Sequence, residues 1–328
     1  MEHGKILRGE RFTLLGGDLS GLMLLRRFIP LWGLGMPDLT AVNKFHGQMV
    51  DIETAFLRDA RRIYASFRQD ALDLIDSAGL ASPQLYRLIR GLLDQMAAQI
   101  RQLATEYTAR LIATSDEYAR RSLAIIHAAA PSFPEFETVQ RSIGSEPLRE
   151  AVIREFTNTA ANFVEVISAR FVLALDEARQ TPDDPQAVRL LLSPGLVNGR
   201  ASVYRHGINA LEYEGQRKIW TAGHGLASVY FLRANEQAGG PDRLQKQAVA
   251  AIDDRTTECC LNVHGQIQDI DRPFELSGGP CSSDKMHPPF PDHRCRTVEA
   301  PYLPVLEKSG LTTGEMVAGA MAEAGRRR

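Results

Sequence analysis

From Val42 onward, apolar residues recur at steps of three or four: Val42, Phe45, Met49, Ile52, Phe56, Ala60, Ile63, Phe67, Ala71 and Leu74, with Asp, Glu, Arg and Gln on the faces between. One apolar seam held over roughly four heptads predicts a single long amphipathic helix. Gly79 lies just past its end, and Ser82 and Pro83 supply an N-cap and a first-turn proline for the next helix. The second stripe runs through Leu85, Leu88, Leu92, Met96, Ile100, Leu103, Tyr107 and Leu111 and continues toward His127, where "APSFPEF" stops it. The pair reads as an antiparallel hairpin about 60 Å long, at 1.5 Å per residue over roughly 40 residues. Such a rod suits a spacer or a docking arm. A third stripe follows Ser145 and Pro147: Leu148, Val152, Phe156, Phe163, Ile167, Phe171 and Leu175, ending before "QTPDDP".

The texture then changes. Two shorter helices are expected, around residues 203 to 220 and 226 to 238, separated by "TAGHG". "KQAVAAI", residues 246 to 252, reads as a strand. Residues 271 to 304 are rich in proline and glycine and read as loop. A last helix is expected near residues 313 to 324, before "RRR". The first 38 residues have no helical or strand period and read as an extended arm that orders against a partner. The expected class is mainly α: a long helical hairpin or bundle followed by a small, loop-rich α+β module. The expected divisions are an arm (1–38), a long-helix domain (39–185), the α+β module (186–304), and a terminal helix with a basic tail (305–328).

Composition narrows this picture. The 328 residues are 44% hydrophobic and 24% charged with a formal net charge of -2, which fits globular protein and excludes a uniformly basic nucleic-acid coat. "GLMLLRRFIPLWGLG", residues 21 to 35, is interrupted by Arg26, Arg27 and Pro30 and is too short to span a bilayer. No membrane association is expected, and synthesis in the cytoplasm is.

The candidate chemistry lies in one place. All four cysteines, Cys259, Cys260, Cys281 and Cys295, fall near the end of the chain, interleaved with His264, His287 and His293. Clustering of this kind points to one local device in a reducing compartment. Three readings stay open. Cys260 with His264 and His293 with Cys295 form two pairs that could hold a structural zinc ion, with Cys259, Cys281 and His287 as substitute ligands. Cys260 and Cys295 could instead form a disulfide, or the thiols could simply be buried beside hydrogen-bonded histidines. No phosphate-cradling G-x-x-x-x-G-K-[ST], no H-E-x-x-H and no G-x-S-x-G occurs, so no residue is assigned to catalysis and no enzyme is expected.

"KQAVAAIDDRTTECCLNVHG" and "HPPFPDHRCRTVEAP" together resemble the two-block signature of the phage head morphogenesis family, the minor head proteins like those of phages Mu and SPP1. Asp253, Arg255, Thr256, Cys260 and Gly265 keep the first block's pattern of an apolar strand, D-x-R-T, a cysteine and a glycine. Pro288, Pro289, Cys295 and Arg296 follow the second. "SVYRHGINALEYEGQRKIW" is similar to the helix that precedes the signature, with Arg205 in the usual place. The likeness covers roughly residues 190 to 304. Two departures weaken a carried-over metal site: His293 is two residues, not three, before Cys295, and Thr297 replaces a second cysteine.

The resemblance implies a non-enzymatic virion protein, present in several copies in the inner capsid and made in the host cytoplasm. Its implied partners are the portal protein, the major capsid protein and packaged DNA, and its implied work is head assembly, DNA packaging or genome delivery. Asp253, Arg255, Thr256, Gly265 and Arg296 would then be structural. Two rival expectations are a DNA-contacting ejection protein using Arg26, Arg27 and the terminal arginines 326 to 328, and a phage-encoded nuclease or transferase module.

Overall fold

The computed structural model describes residues 39–78, 83–144, single positions and short runs between 150 and 180, 192–194, 196–197, 200–239, 243–251, 256–276, 285–286 and 296–303. The mainly α class holds: three long helices dominate and the strands are short.

Helices α1 (Leu39–Ala78) and α2 (Pro83–Ala129) form the expected antiparallel pair. Their contact face is the apolar seam, with Phe45, Met49, Ile52, Phe56, Ala60, Phe67 and Ala71 of α1 all buried. Along α2 the buried line is Leu85, Ile89, Leu93, Met96 and Ile100, not the expected Leu88 and Leu92. Leu88 is exposed. Apolar residues occupy both 88 and 89 and both 92 and 93, and a four-residue step from Leu85 selects the second of each pair. Within "APSFPEF" a short helix, α3 (Phe136–Ile143), begins and buries Phe136 and Val139. Of the third stripe, Phe171 is buried and meets Phe67 edge-on with ring centroids 5.6 Å apart. Leu148, Val152, Phe156, Phe163, Ile167 and Leu175 lie outside the described residues, as do the arm, residues 181 to 185 and everything after residue 303.

A short ladder, β1 (Leu196–Val197) with β2 (Arg200–Ala201), leads into α4 (Val203–Gln237). Ser202 caps α4, its Oγ accepting the Arg205 N–H at 3.0 Å. Two helices were expected here and one forms, running straight through "TAGHG". The reason is packing. A Cβ on Gly223 would lie 2.4 Å from Met49 Cε, and one on Gly215 would lie 2.7 Å from Phe56 Cε1. These glycines let α4 approach α1 closely, a use that local propensity does not reveal. The result is a three-helix bundle, α1, α2 and α4, rather than a bare two-helix rod.

Strand β3 (Gln245–Val249) occupies the first part of the expected 246–252 strand. It is the centre of an antiparallel three-stranded sheet ordered β4-β3-β7, with β4 at Ile267–Asp269 and β7 at Val298–Tyr302. Between β3 and β4 lies a six-residue helix, α5 (Glu258–Val263). A second ladder joins β5 (Phe274–Glu275) to β6 (Lys285–Met286), inside the stretch expected to be all loop. Ala248, Ala250, Cys259, Cys260, Val263, Phe274 and Leu276 make a small core under the sheet. Among the described residues no helix is long and apolar enough to cross a membrane.

Candidate functional site

The first signature block closes on itself as a clasp. Thr257 caps α5, its Oγ1 accepting the Cys260 N–H at 3.3 Å. At the other end His264 terminates the helix, and its N–H donates to Leu261 O at 3.2 Å. The chain then rejoins β3. Gly265 N–H donates to Ala248 O at 2.8 Å, and Ala248 N–H donates to Gln266 O at 3.0 Å. Two residues thus oppose one, and Gly265 has φ of 83°. This is a β-bulge of the type whose first residue must be left-handed, which explains a glycine at that spacing. Gln247, buried in the middle of β3, adds a side-chain bond from Nε2 to Gly265 O at 3.3 Å.

His264 completes the clasp. The Ala250 N–H donates to its Nδ1 at 2.9 Å. A backbone N–H can only donate, so Nδ1 presents its lone pair and the ring proton sits on Nε2. Burial holds this ring neutral, pushing its pKa down to about 4. A ring in that tautomer has no second lone pair for a cation, so His264 does not fit the zinc set Cys260, His264, His293 and Cys295. The adjacent cysteines also differ. Cys259 is disulfide-bonded and Cys260 keeps its thiol, so of the three readings left open by the sequence the bridge at Cys260 does not hold. Side chains one residue apart on a helix leave it about 100° apart, so both sulfurs cannot serve one partner. Among the described residues no group of three or more His, Cys, Asp or Glu side chains could hold an ion. Asp253, Arg255, Cys281, His287, Pro288, Pro289, His293 and Cys295 lie outside the described residues, as do Arg26, Arg27 and residues 326 to 328. Thr256 is half-buried, and the capping role falls to its neighbour Thr257, one residue past the position that the resemblance marks as structural.

The second block is tied to the bundle. Arg296, immediately before β7, places its guanidinium 3.3 Å from both carboxylate oxygens of Glu53 on α1. Glu53 is itself buried and accepts two more bonds from α4: Trp220 Nε1–H donates to Oε2 at 2.8 Å and Gln216 Nε2 donates to Oε1 at 2.7 Å. One carboxylate on α1 therefore collects donors from α4 and from the segment leading into β7. Thr297, which follows Arg296, is fully buried.

A second buried pair lies inside the sheet. Lys246 Nζ on β3 is 2.9 Å from Glu299 Oε1 on β7, with side-chain exposures of 2% and 8%. Glu299 Oε2 accepts from Ser228 Oγ of α4 at 2.9 Å, and its backbone carbonyl accepts from the Tyr118 hydroxyl of α2 at 3.1 Å. The lysine also rests over the Phe274 ring, 5.1 Å from its centroid. A buried lysine in an apparently apolar strand gives no periodic signal, so reading the chain alone misses both partners. His224, in "TAGHG", was not a candidate either. It lies buried between Trp220, stacked at 5.7 Å, and Phe45, edge-on at 5.3 Å. Desolvation, with the nearby His46 adding repulsion, pushes its pKa down to about 3.

Thr257, His264, Gly265, Gln247, Lys246 and Arg296 thus place polar groups of the two blocks in a helix cap, backbone bonds and buried ion pairs. No protein-family model, curated protein or solved structure matches the chain, so the functional reading rests on these residues and their resemblance to the two-block signature.

Proposed function

We propose that the chain is a structural minor head protein of a tailed phage, associated with the portal and acting in head assembly, DNA packaging or genome delivery. The resemblance of its two blocks to the head morphogenesis signature supplies the family. The observation that favours a structural role is where those blocks spend their polar groups. Gly265 and His264 fasten the first block to β3, and Arg296 fastens the second to Glu53 of the bundle. Segments widely separated in the chain are thereby joined to a long bundle, which offers a portal ring an elongated helical body with a fixed head. On this reading the protein is made in the host cytoplasm, is incorporated into the virion in several copies, and contacts the portal and the major capsid protein.

The test is association with the portal. Purified chain mixed with assembled portal rings should sediment with them, and gold label directed at the chain in opened particles should gather at the portal vertex. Recovery of unbound chain beside intact rings, with label spread evenly or missing from particles, would defeat the proposal.

A further inference from the structure

Cys259 and Cys260 are neighbours on the same short helix and equally buried, at 2% exposure each, yet their chemistry differs. Cys259 is bridged, and Cys260 carries a thiol whose Sγ accepts a hydrogen bond from Thr257 Oγ1 at 3.3 Å. The same Oγ1 accepts the Cys260 N–H, so one hydroxyl uses its donor and a lone pair on a single residue. That ties Cys260 to the helix cap, while Cys259 leaves the helix about 100° away. The cap and the bridge thus require different cysteines, and the sequence pair "CC" meets both needs.

We propose that Cys259 is an oxidation-dependent staple, open while the protein is in a reducing cytoplasm and closed once it leaves. Disulfides do not persist in reducing cytosol, so a chain made there meets its bridge late. In the closing step a thiolate of Cys259 attacks one sulfur of a small disulfide such as oxidised glutathione and expels one glutathione thiol. A second cysteine thiolate of the chain then attacks the Cys259 sulfur of the mixed disulfide and expels the other. Two protein thiols are oxidised, one disulfide is reduced to two thiols, and the two thiol protons end on the released glutathione. Only the place and time of closure rest on the virion reading. The identity of the bridging cysteine does not.

The experiment uses the full chain purified with reductant, equilibrated with oxidised glutathione, desalted, denatured and titrated for thiols, with intact mass excluding retained glutathione. Starting from four cysteines, the wild type should fall from four thiols to two. Cys260→Ser should fall from three to one, and Cys259→Ser should stay at three. A Cys259→Ser chain that still loses two thiols, or a wild type that keeps four, would overturn the assignment. Should Cys259→Ser fail to fold, mapping the bridge in oxidised Cys260→Ser decides: a linked peptide containing Cys259 is expected, and a bridge joining Cys281 to Cys295, or three remaining thiols, overturns the assignment. For the timing, the chain is alkylated in infected-cell cytoplasm and in released particles. Thiols in the first and a bridge in the second are expected, and a bridge already closed in the cytoplasm overturns the staging. Absence of the chain from particles would sink the head-protein reading and leave the thiol counts standing.

Discussion

Where the glycines of α4 meet α1, the contact is made by shape: Met49 and Phe56 press against Gly223 and Gly215, and Phe45 meets His224 edge-on, while Glu53 adds buried bonds from Trp220 and Gln216. Where the sheet is assembled, the contact is made by named partners. Lys246 meets Glu299, Gln247 and Ala248 meet the Gly265 bulge, and Ala250 meets His264. Buried apolar area is non-directional and forgiving of conservative exchange, whereas a buried ion or amide that loses its partner pays its full desolvation cost. The glycine contacts of the bundle should therefore fail by volume and the module by the loss of single atoms.

The largest effect is expected from Lys246→Ala, which strands Glu299 in the interior. Removing one member of a buried pair costs about 3–5 kcal/mol, readable as a lower midpoint in urea unfolding. Replacing both members with apolar residues should recover most of that loss, and failure of the double variant to recover would mean that Ser228, which donates to the same carboxylate, depends on it more than the lysine does.

Acid comes next. His224 and His264 have folded pKa values of about 3 and about 4, below the ordinary histidine value of 6.5. Between those values the unfolded chain binds protons that the folded chain refuses, so stability rises with pH there. The contribution is intact above pH 6.5 and is lost as the pH falls from 6.5 toward 4, by about 1.4 kcal/mol per pH unit for each ring. Thermal melts from pH 7.5 to 4.5 should show that decline, and it should be shallower in His224→Phe. An unchanged slope in that variant would remove His224 from the account.

Smaller again is the difference between two alanine exchanges on α4. In Gly215→Ala the new methyl meets the rigid Phe56 ring, and overpacking of about 1–3 kcal/mol should exceed the helical gain of about 1 kcal/mol. In Gly223→Ala it meets the end of the Met49 side chain, which can swing aside, so the net change should be closer to zero. Equal losses at both would show that the glycines act through the backbone rather than through packing. The smallest effect belongs to the surface: Arg121→Ala removes an exposed bridge to Glu117 and should shift stability by less than about 1 kcal/mol.

How much of this was legible in advance follows the same division. Periodicity reports continuous apolar faces, so α1 and most of α2 could be read directly, and the slip at Leu88 came from two apolar residues in succession. Partnership is invisible to periodicity. Glu53 looks like any polar residue on a helix, and nothing near it in the chain announces Trp220, Gln216 or Arg296. The glycines of α4 carry the mark of a helix breaker because local propensity cannot know that α1 will pass close by. In the candidate site, Gly265 and Arg296 could be located from the two-block pattern. The tautomer of His264 and the division of labour between Cys259 and Cys260 could not, because each is set by an atom brought in through folding.

The central claim is that the second block is fastened to the bundle through Arg296 and Glu53. A double-mutant cycle with Glu53→Gln and Arg296→Met, read by urea unfolding of the full chain, tests it most directly. Residues in contact within one buried network should show a coupling of roughly 1–3 kcal/mol. Losses that add to within about 0.5 kcal/mol would mean that the two side chains do not hold the block to the bundle.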